Sequence, residues 1–146
     1  MSMISKILTA LLVVGALVAL ASPAVAGESV SIEVRAILAS PEGDEFDEEL
    51  NDIQGRLERG FTGYHSFEQI GRQTKTIERA ADADFDLPTG DVLTLGYDGR
   101  DDDLIKLGLT LETRLSTTLR ATPGSTFFQA GLRHEDGLLI LAITVE

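Results

Sequence analysis

From Leu104 to Glu112 the chain alternates without a break: Ile105, Leu107, Leu109 and Leu111 fall on one side, and Lys106, Thr110 and Glu112 on the other. Successive side chains of an extended chain point to opposite faces, so a period of two marks a strand with one buried and one wet face. The pattern recurs at both ends of the chain. Residues 29–39 set Val30, Ile32, Val34, Ala36 and Leu38 against Glu33 and Arg35, which reads as a half-buried strand. Residues 115–121 set Leu115, Thr117, Leu119 and Ala121 on one face. Turn residues punctuate these runs. Pro41 to Gly43 breaks the first, Pro88-Thr89-Gly90 reads as a type II turn, and Asp98-Gly99 is a strong hairpin signal. Pro123-Gly124 and residues 133–137 supply two further turns. Many short strands joined by tight turns commit a chain to antiparallel sheet.

A single segment has helical period. Phe46, Leu50, Ile53 and Leu57 form one stripe, with acidic residues crowding the first turns and Arg56 and Arg59 near the end, as the helix dipole favours. The spacing predicts a helix over residues 44–59, with Gly60 as the left-handed residue that ends it. Residues 61–78 predict a strand through Tyr64, Phe67 and Ile70, with a bulge near Gly71. Residues 84–87 predict a short strand, residues 92–97 another, and residues 125–130 a third. Residues 138–145 are apolar on both faces, which predicts a central strand. The expected fold class is α+β: one amphipathic helix packed on an antiparallel β-sheet able to curl toward a sandwich.

The first 26 residues stand apart. Lys6 precedes an apolar run over residues 7–21, and Ala24-Val25-Ala26 then offers a small-residue cleavage site. The run falls short of the ~20 residues a membrane-spanning helix needs. It reads as a secretory signal peptide, residues 1–26, followed by a single α+β domain, residues 27–146. The protein is therefore expected to be exported, periplasmic or extracellular, with no membrane span after cleavage near Ala26.

The chain carries 24 Asp and Glu against 12 Lys and Arg. Nucleic-acid binding rests on clustered cations, so this balance excludes a nucleic-acid partner. With no cysteine, the domain holds together by packing or oligomerisation rather than by disulfides. Asp82, Asp84 and Asp86 match positions 1, 3 and 5 of a calcium loop, but Leu87 and Leu93 stand where Gly and a bidentate Glu belong. Asp98-Gly99-Arg100-Asp101-Asp102-Asp103 is the densest acidic turn, read first as a solvated hairpin. His65 and His134 lack partners at zinc spacing, and no nucleophile is implied beside either. No nucleophile elbow, phosphate loop or dinucleotide fingerprint occurs after residue 26. No enzyme, cofactor or metal is expected.

Residues 117–120, 123–132 and 138–145 form a polar strand, a Gly turn, an apolar strand through Phe127, Phe128, Gly131 and Leu132, and a Leu/Ile-rich strand. This ending resembles the paired strands of bacterial outer-membrane secretins, with Ala130 in place of the first Gly of their Gly-Gly-Leu. The chain as a whole looks like small exported bacterial proteins that begin strand-helix-strand. The resemblance implies a hairpin pair and no catalytic residue, and residues 27–146 are too few for a secretin pore.

The function expected is that of an exported, non-enzymatic domain that binds an envelope protein, or itself, through a sheet edge or an apolar face. Thr126, Phe128, Gln129 and Ile143 are the expected contacts. The alternative is a small-ligand or Ca²⁺-binding sandwich that uses the acidic loops at residues 82–86 and 98–103.

Overall fold

The computed structural model describes residues 28–112 and 115–146, so the leader and its cleavage site lie outside the described residues. Among the described residues eight strands form two four-stranded antiparallel sheets. They are β1 (Ser29–Ser40), β2 (Ser66–Glu78), β3 (Asp82–Asp86), β4 (Val92–Asp101), β5 (Leu104–Leu111), β6 (Leu115–Ala121), β7 (Thr126–His134) and β8 (Gly137–Val145). The first sheet runs β2-β1-β8-β7 and the second β3-β4-β5-β6. The fold is the expected α+β, sandwich-like arrangement.

The alternating residues meet between the sheets. Val30, Ile32 and Val34 of β1 and Leu139, Leu141 and Ile143 of β8 face Leu93 and Leu95 of β4 and Ile105, Leu107 and Leu109 of β5. Each is at most 2 % exposed, and burying such a side chain contributes about 1.5–3 kcal/mol. Tyr97 closes one end of this core, its hydroxyl donating to the Glu28 carboxylate at 2.8 Å.

A second core lies on the far face of the first sheet. A 3₁₀ turn, Glu48–Ile53, runs into helix α1, Gln54–Gly60. Leu50, Ile53 and Leu57 project from it onto Ile37 and Ala39 of β1, Phe67 of β2, and Ile140 and Ala142 of β8. Three layers result: helix, sheet, sheet. This is why β8 is apolar on both faces, and it sits, as expected, in the middle of its sheet. It also corrects the half-buried reading of β1: Ile37, Ala39 and Arg35 are buried beneath the helical segment.

The stripe of Leu50, Ile53 and Leu57 is helical as expected, but the helical segment begins only at Glu48. Residues 45–47 are instead extended and pair in parallel with β2, with Phe46 opposite Phe67. The Asp47 N–H donates to the Phe67 carbonyl and the Phe67 N–H to the Glu45 carbonyl, both at 3.0 Å. The Asp47 side chain then caps the 3₁₀ turn by accepting from the Glu49 N–H. Gly60 is the last helical residue and is not left-handed.

Two turns also differ from expectation. Leu87 accepts from the Gly90 N–H, and the left-handed residue is Gly90 rather than Thr89, so the turn is not type II. Asp98 and Gly99 do not reverse the chain. They form a bulge inside β4, where the register jumps between Tyr97 and Arg100, and the reversal falls at Asp102 and Asp103. Gly99 has a φ of 100°, which meets the bulge's conformational demand. The expected bulge in β2 is present: Ala36 opposes Gly71 and Ile37 opposes Gln69, leaving Ile70 as the extra residue.

Candidate functional site

Every four-stranded sheet has two edges, and an uncovered edge presents unpaired N–H and C=O groups to any passing strand. Here the edges are β2 and β7 in one sheet and β3 and β6 in the other. They differ sharply in cover. Residues 45–47 lie along the start of β2, and the Asp47 carboxylate accepts from the Gln69 N–H at 2.9 Å. Further along, β2 packs over β3: Gln73 Nε2 donates to the Asp86 carbonyl at 2.8 Å and Lys75 Nζ to the Asp84 carbonyl. Lys75 also sits 5.1 Å above the Phe85 ring. This side of the sandwich is thus partly covered by the chain itself, at the start of β2 and at two carbonyls of β3.

With β2 over β3, β7 and β6 fall together on the opposite side, joined by residues 122–125. Their inward side chains line the gap between the sheets: Leu115 and Leu119 from β6 and Phe127 from β7 pack on the inter-sheet core yet stay half-exposed. Thr117, which faces Leu109 across the ladder, is exposed.

Three of the four residues picked out by sequence lie on β7. Thr126 opposes Thr144, and the neighbouring Val145 N–H donates to the Ser125 carbonyl, which marks Thr126–Thr144 as a non-hydrogen-bonded pair. The backbone groups of Thr126, Phe128 and Ala130 therefore point to the open edge. Two of those carbonyls are capped internally: Arg56 Nη2 donates to Thr126 at 2.6 Å and Gln129 Nε2 to Ala130 at 3.1 Å. The Phe128 ring is half-buried on the helix side, edge-on to Phe61 with centroids 6.1 Å apart, and Arg56 lies 4.8 Å from its centroid. A left-handed Gly131, φ 128°, bulges the strand directly afterwards. Ile143 is different. It is fully buried between the sheets on a central strand, so neither its side chain nor its backbone is open to a partner, and the structure corrects that assignment.

Sequence reasoning missed β6. Among the described residues no side chain hydrogen-bonds to its backbone, and it carries no bulge, proline, lysine or carboxylate of its own. The missed signal is a run of 22 residues, 113–134, without one Asp or Glu, in a chain that has 24. The acid-free zone is wider in space than in sequence. None of β5, β6, β7 and β8 contains a carboxylate, while β1 to β4 all do. Arg120, the one charge on β6, is tied to Asp101 at 2.8 Å.

Two carboxylates of the acidic segments serve local structure, and residues 82–86 form strand β3 rather than a loop. Asp84 accepts from the Thr94 hydroxyl at 2.7 Å, and Asp101 holds Arg120. Among the described residues no three His, Asp or Glu side chains converge as a metal site would require. His134 lies 3.3 Å from Glu135 in the β7–β8 turn. A groove of about 520 Å³ between residues 40–47 and the start of β2 has Leu38, Phe46 and Phe67 in its walls and Glu42, Glu45 and Glu68 beside them. Among the described residues no helix is long and apolar enough to cross a membrane. A scan against protein families and searches of curated proteins and of solved structures match nothing to this chain.

Proposed function

We propose that the chain is an exported, non-enzymatic domain that binds a protein of the cell envelope, or another copy of itself, by accepting a strand on its β6–β7 side. One observation carries this reading: β2 and β3 carry carboxylates and are partly covered by the chain's own segments, while β6 and β7 lie side by side without a carboxylate, and no side chain among the described residues bonds to the β6 backbone. Folded proteins ordinarily blunt such edges with charge, proline or cover, because each is a template for pairing. Strand addition turns that liability to use: main-chain hydrogen bonds supply affinity, and pockets for alternate side chains supply selectivity. Thr126, Phe128 and Gln129 lie along one lip, and Thr117 and Leu119 along the other.

A photo-reactive amino acid placed at Gln129 or Thr117 tests this in the native envelope, with Thr76 on the β2–β3 side as control. Discrete adducts from the two open-side positions and none from Thr76 are expected. Equal labelling from all three, or none from any, would refute strand addition there.

A further inference from the structure

We infer that the strand accepted by β6 is β6 of a second copy, related by a two-fold axis through Thr118. This rests on the reading of the β6–β7 side as a protein-binding surface and names its partner. Three features of the chain converge on that occupant.

Electrostatics comes first. Two copies of a chain with formal charge −12 repel each other through most of their surface. The approach that brings β5, β6, β7 and β8 of each together is the one that sets no strand carboxylate against another. A strongly basic partner would find its complement on the β1–β4 half instead. Arg120, the one charged residue of β6, is paired with Asp101, so the β6 edge offers an incoming strand no unpaired charge.

Register is the second. In an antiparallel pair a two-fold axis through one residue opposes residues of equal parity, so both strands keep the same faces inward. Centred on Thr118, all seven residues of Leu115–Ala121 pair: Leu115 with Ala121, Ser116 with Arg120, Thr117 with Leu119, and Thr118 with itself. The half-exposed Leu115 and Leu119 then gain apolar neighbours, and no two charges of like sign stand opposite. Both sheets of four become one sheet of eight, β3-β4-β5-β6 continued by its symmetry mate. Such an isologous contact closes on itself and does not propagate into a fibre.

The competing edges are the third. The acidic edges, β2 and β3, could each pair head-to-tail with β6, but residues 45–47 already lie along the start of β2, and the Asp84 and Asp86 carbonyls of β3 are occupied by Lys75 and Gln73. On β7, Arg56 and Gln129 occupy two of the outward carbonyls. Among the described residues no such obstacle exists on β6.

Because the chain has no cysteine, a single thiol reports the register cleanly. Directly opposed residues have Cβ atoms about 4.5–5.5 Å apart, a small shift from disulfide geometry. In the exported protein, Thr118→Cys is expected to form a covalent dimer under mild oxidation at least about ten-fold faster than Ser116→Cys, since only residue 118 meets itself. Mixing Ser116→Cys with Arg120→Cys is expected to restore cross-linking. Sedimentation of the unaltered protein should show a dimer, and Thr118→Lys, which sets two like charges face to face at an exposed site, should raise its dissociation constant at least about ten-fold. Equal cross-linking at residues 116 and 118, or a monomer at every accessible concentration, overturns the dimer. If the protein is a monomer but Gln129 still yields a discrete foreign adduct, the dimer falls and the broader binding function stands. If it is a monomer and no open-side adduct forms, both fall.

Discussion

Removing the exposed partner of the buried arginine should cost more than removing the arginine itself. The Arg35 side chain is 5 % exposed, caught between β1 and the 3₁₀ turn. Its Nη1 and Nη2 donate to the two Asp52 carboxylate oxygens at 3.0 and 3.1 Å, and Nε lies 3.5 Å from Glu33. Glu33 in turn accepts from Arg72 at 2.7 Å. The gross attraction of such a pair is about 4 kcal/mol at an effective dielectric constant of about 20. Asp52 is 62 % exposed, so water screens much of this; fully exposed pairs measure only about 0.2–1 kcal/mol. Against that, Asp52→Ala strands a buried cation, for which about 3–5 kcal/mol is usual, with Glu33 remaining as a partial partner. The balance is a loss of about 2 kcal/mol, or roughly 8 °C in Tm for a domain of this size. Arg35→Met removes the buried charge, keeps most of the volume and frees Asp52 to hydrate, so it should cost about 1 kcal/mol or less. Urea unfolding of both variants and the double variant gives the coupling directly. The sign with pH follows from the same contact. The Arg35 hydrogen bond holds the Asp52 carboxyl below its ordinary value of 3.8, so its contribution is present above that pH and is lost as pH falls through the lower, folded-state value. The acid limb of the stability curve should therefore flatten in Asp52→Ala. A larger loss for Arg35→Met than for Asp52→Ala, or an unchanged acid limb, would show that the pair is not what steadies this arginine.

Gly137→Ala should destabilise the β7–β8 hairpin by more than about 2 kcal/mol, because the new Cβ would stand 2.5 Å from the Ala39 carbonyl oxygen and 2.9 Å from Leu38; native yield and Tm measure it, and a neutral substitution would disprove the close approach. Of the two tyrosines, Tyr97 should titrate above its ordinary value of 10, since burial, then the bond to Glu28, favour the neutral phenol. Its contribution is complete below that value and fades as pH rises through the folded-state one, so absorbance near 295 nm should show one tyrosine titrating late, and Tyr97→Phe should remove that phase.

Charge is distributed in this molecule by strand rather than by residue. Within strands the carboxylates stop at β4: β5, β6, β7 and β8 have none, and the later ones, Asp102, Asp103, Glu112, Glu135, Asp136 and Glu146, lie outside the strands. That segregation matters most at short range, since like-charge repulsion is strong there and screened beyond about 10 Å.

Elements whose physics is local were legible without a structure. The alternation of Ile105, Leu107, Leu109 and Leu111 is dictated by the geometry of an extended chain, and each of the four is buried as that geometry requires. The two-faced apolar run of β8 and the bulge near Gly71 were legible for the same reason. What stayed hidden depends on partners distant in sequence. Phe46 fits a helical stripe by spacing, yet 21 residues on Phe67 offers it a ladder position, and the chain stays extended to take it. Asp98 and Gly99 have the chemistry of a turn, but β5 pairs on past them to Asp101, and the ladder bonds so gained leave them as a bulge. Ile143 and Phe128 look alike as apolar residues of neighbouring strands; only strand order places one in the middle of a sheet, sealed, and the other at its edge. Sequence by itself determined most of where the chain extends and which side chains it buries, because those follow from dihedral preference and hydrophobic period. Tertiary structure alone decided which edges are covered, because an edge is covered by whichever segment folds back on it: residues 45–47 lie along the start of β2, side chains of β2 reach the β3 carbonyls, and no described segment covers β6.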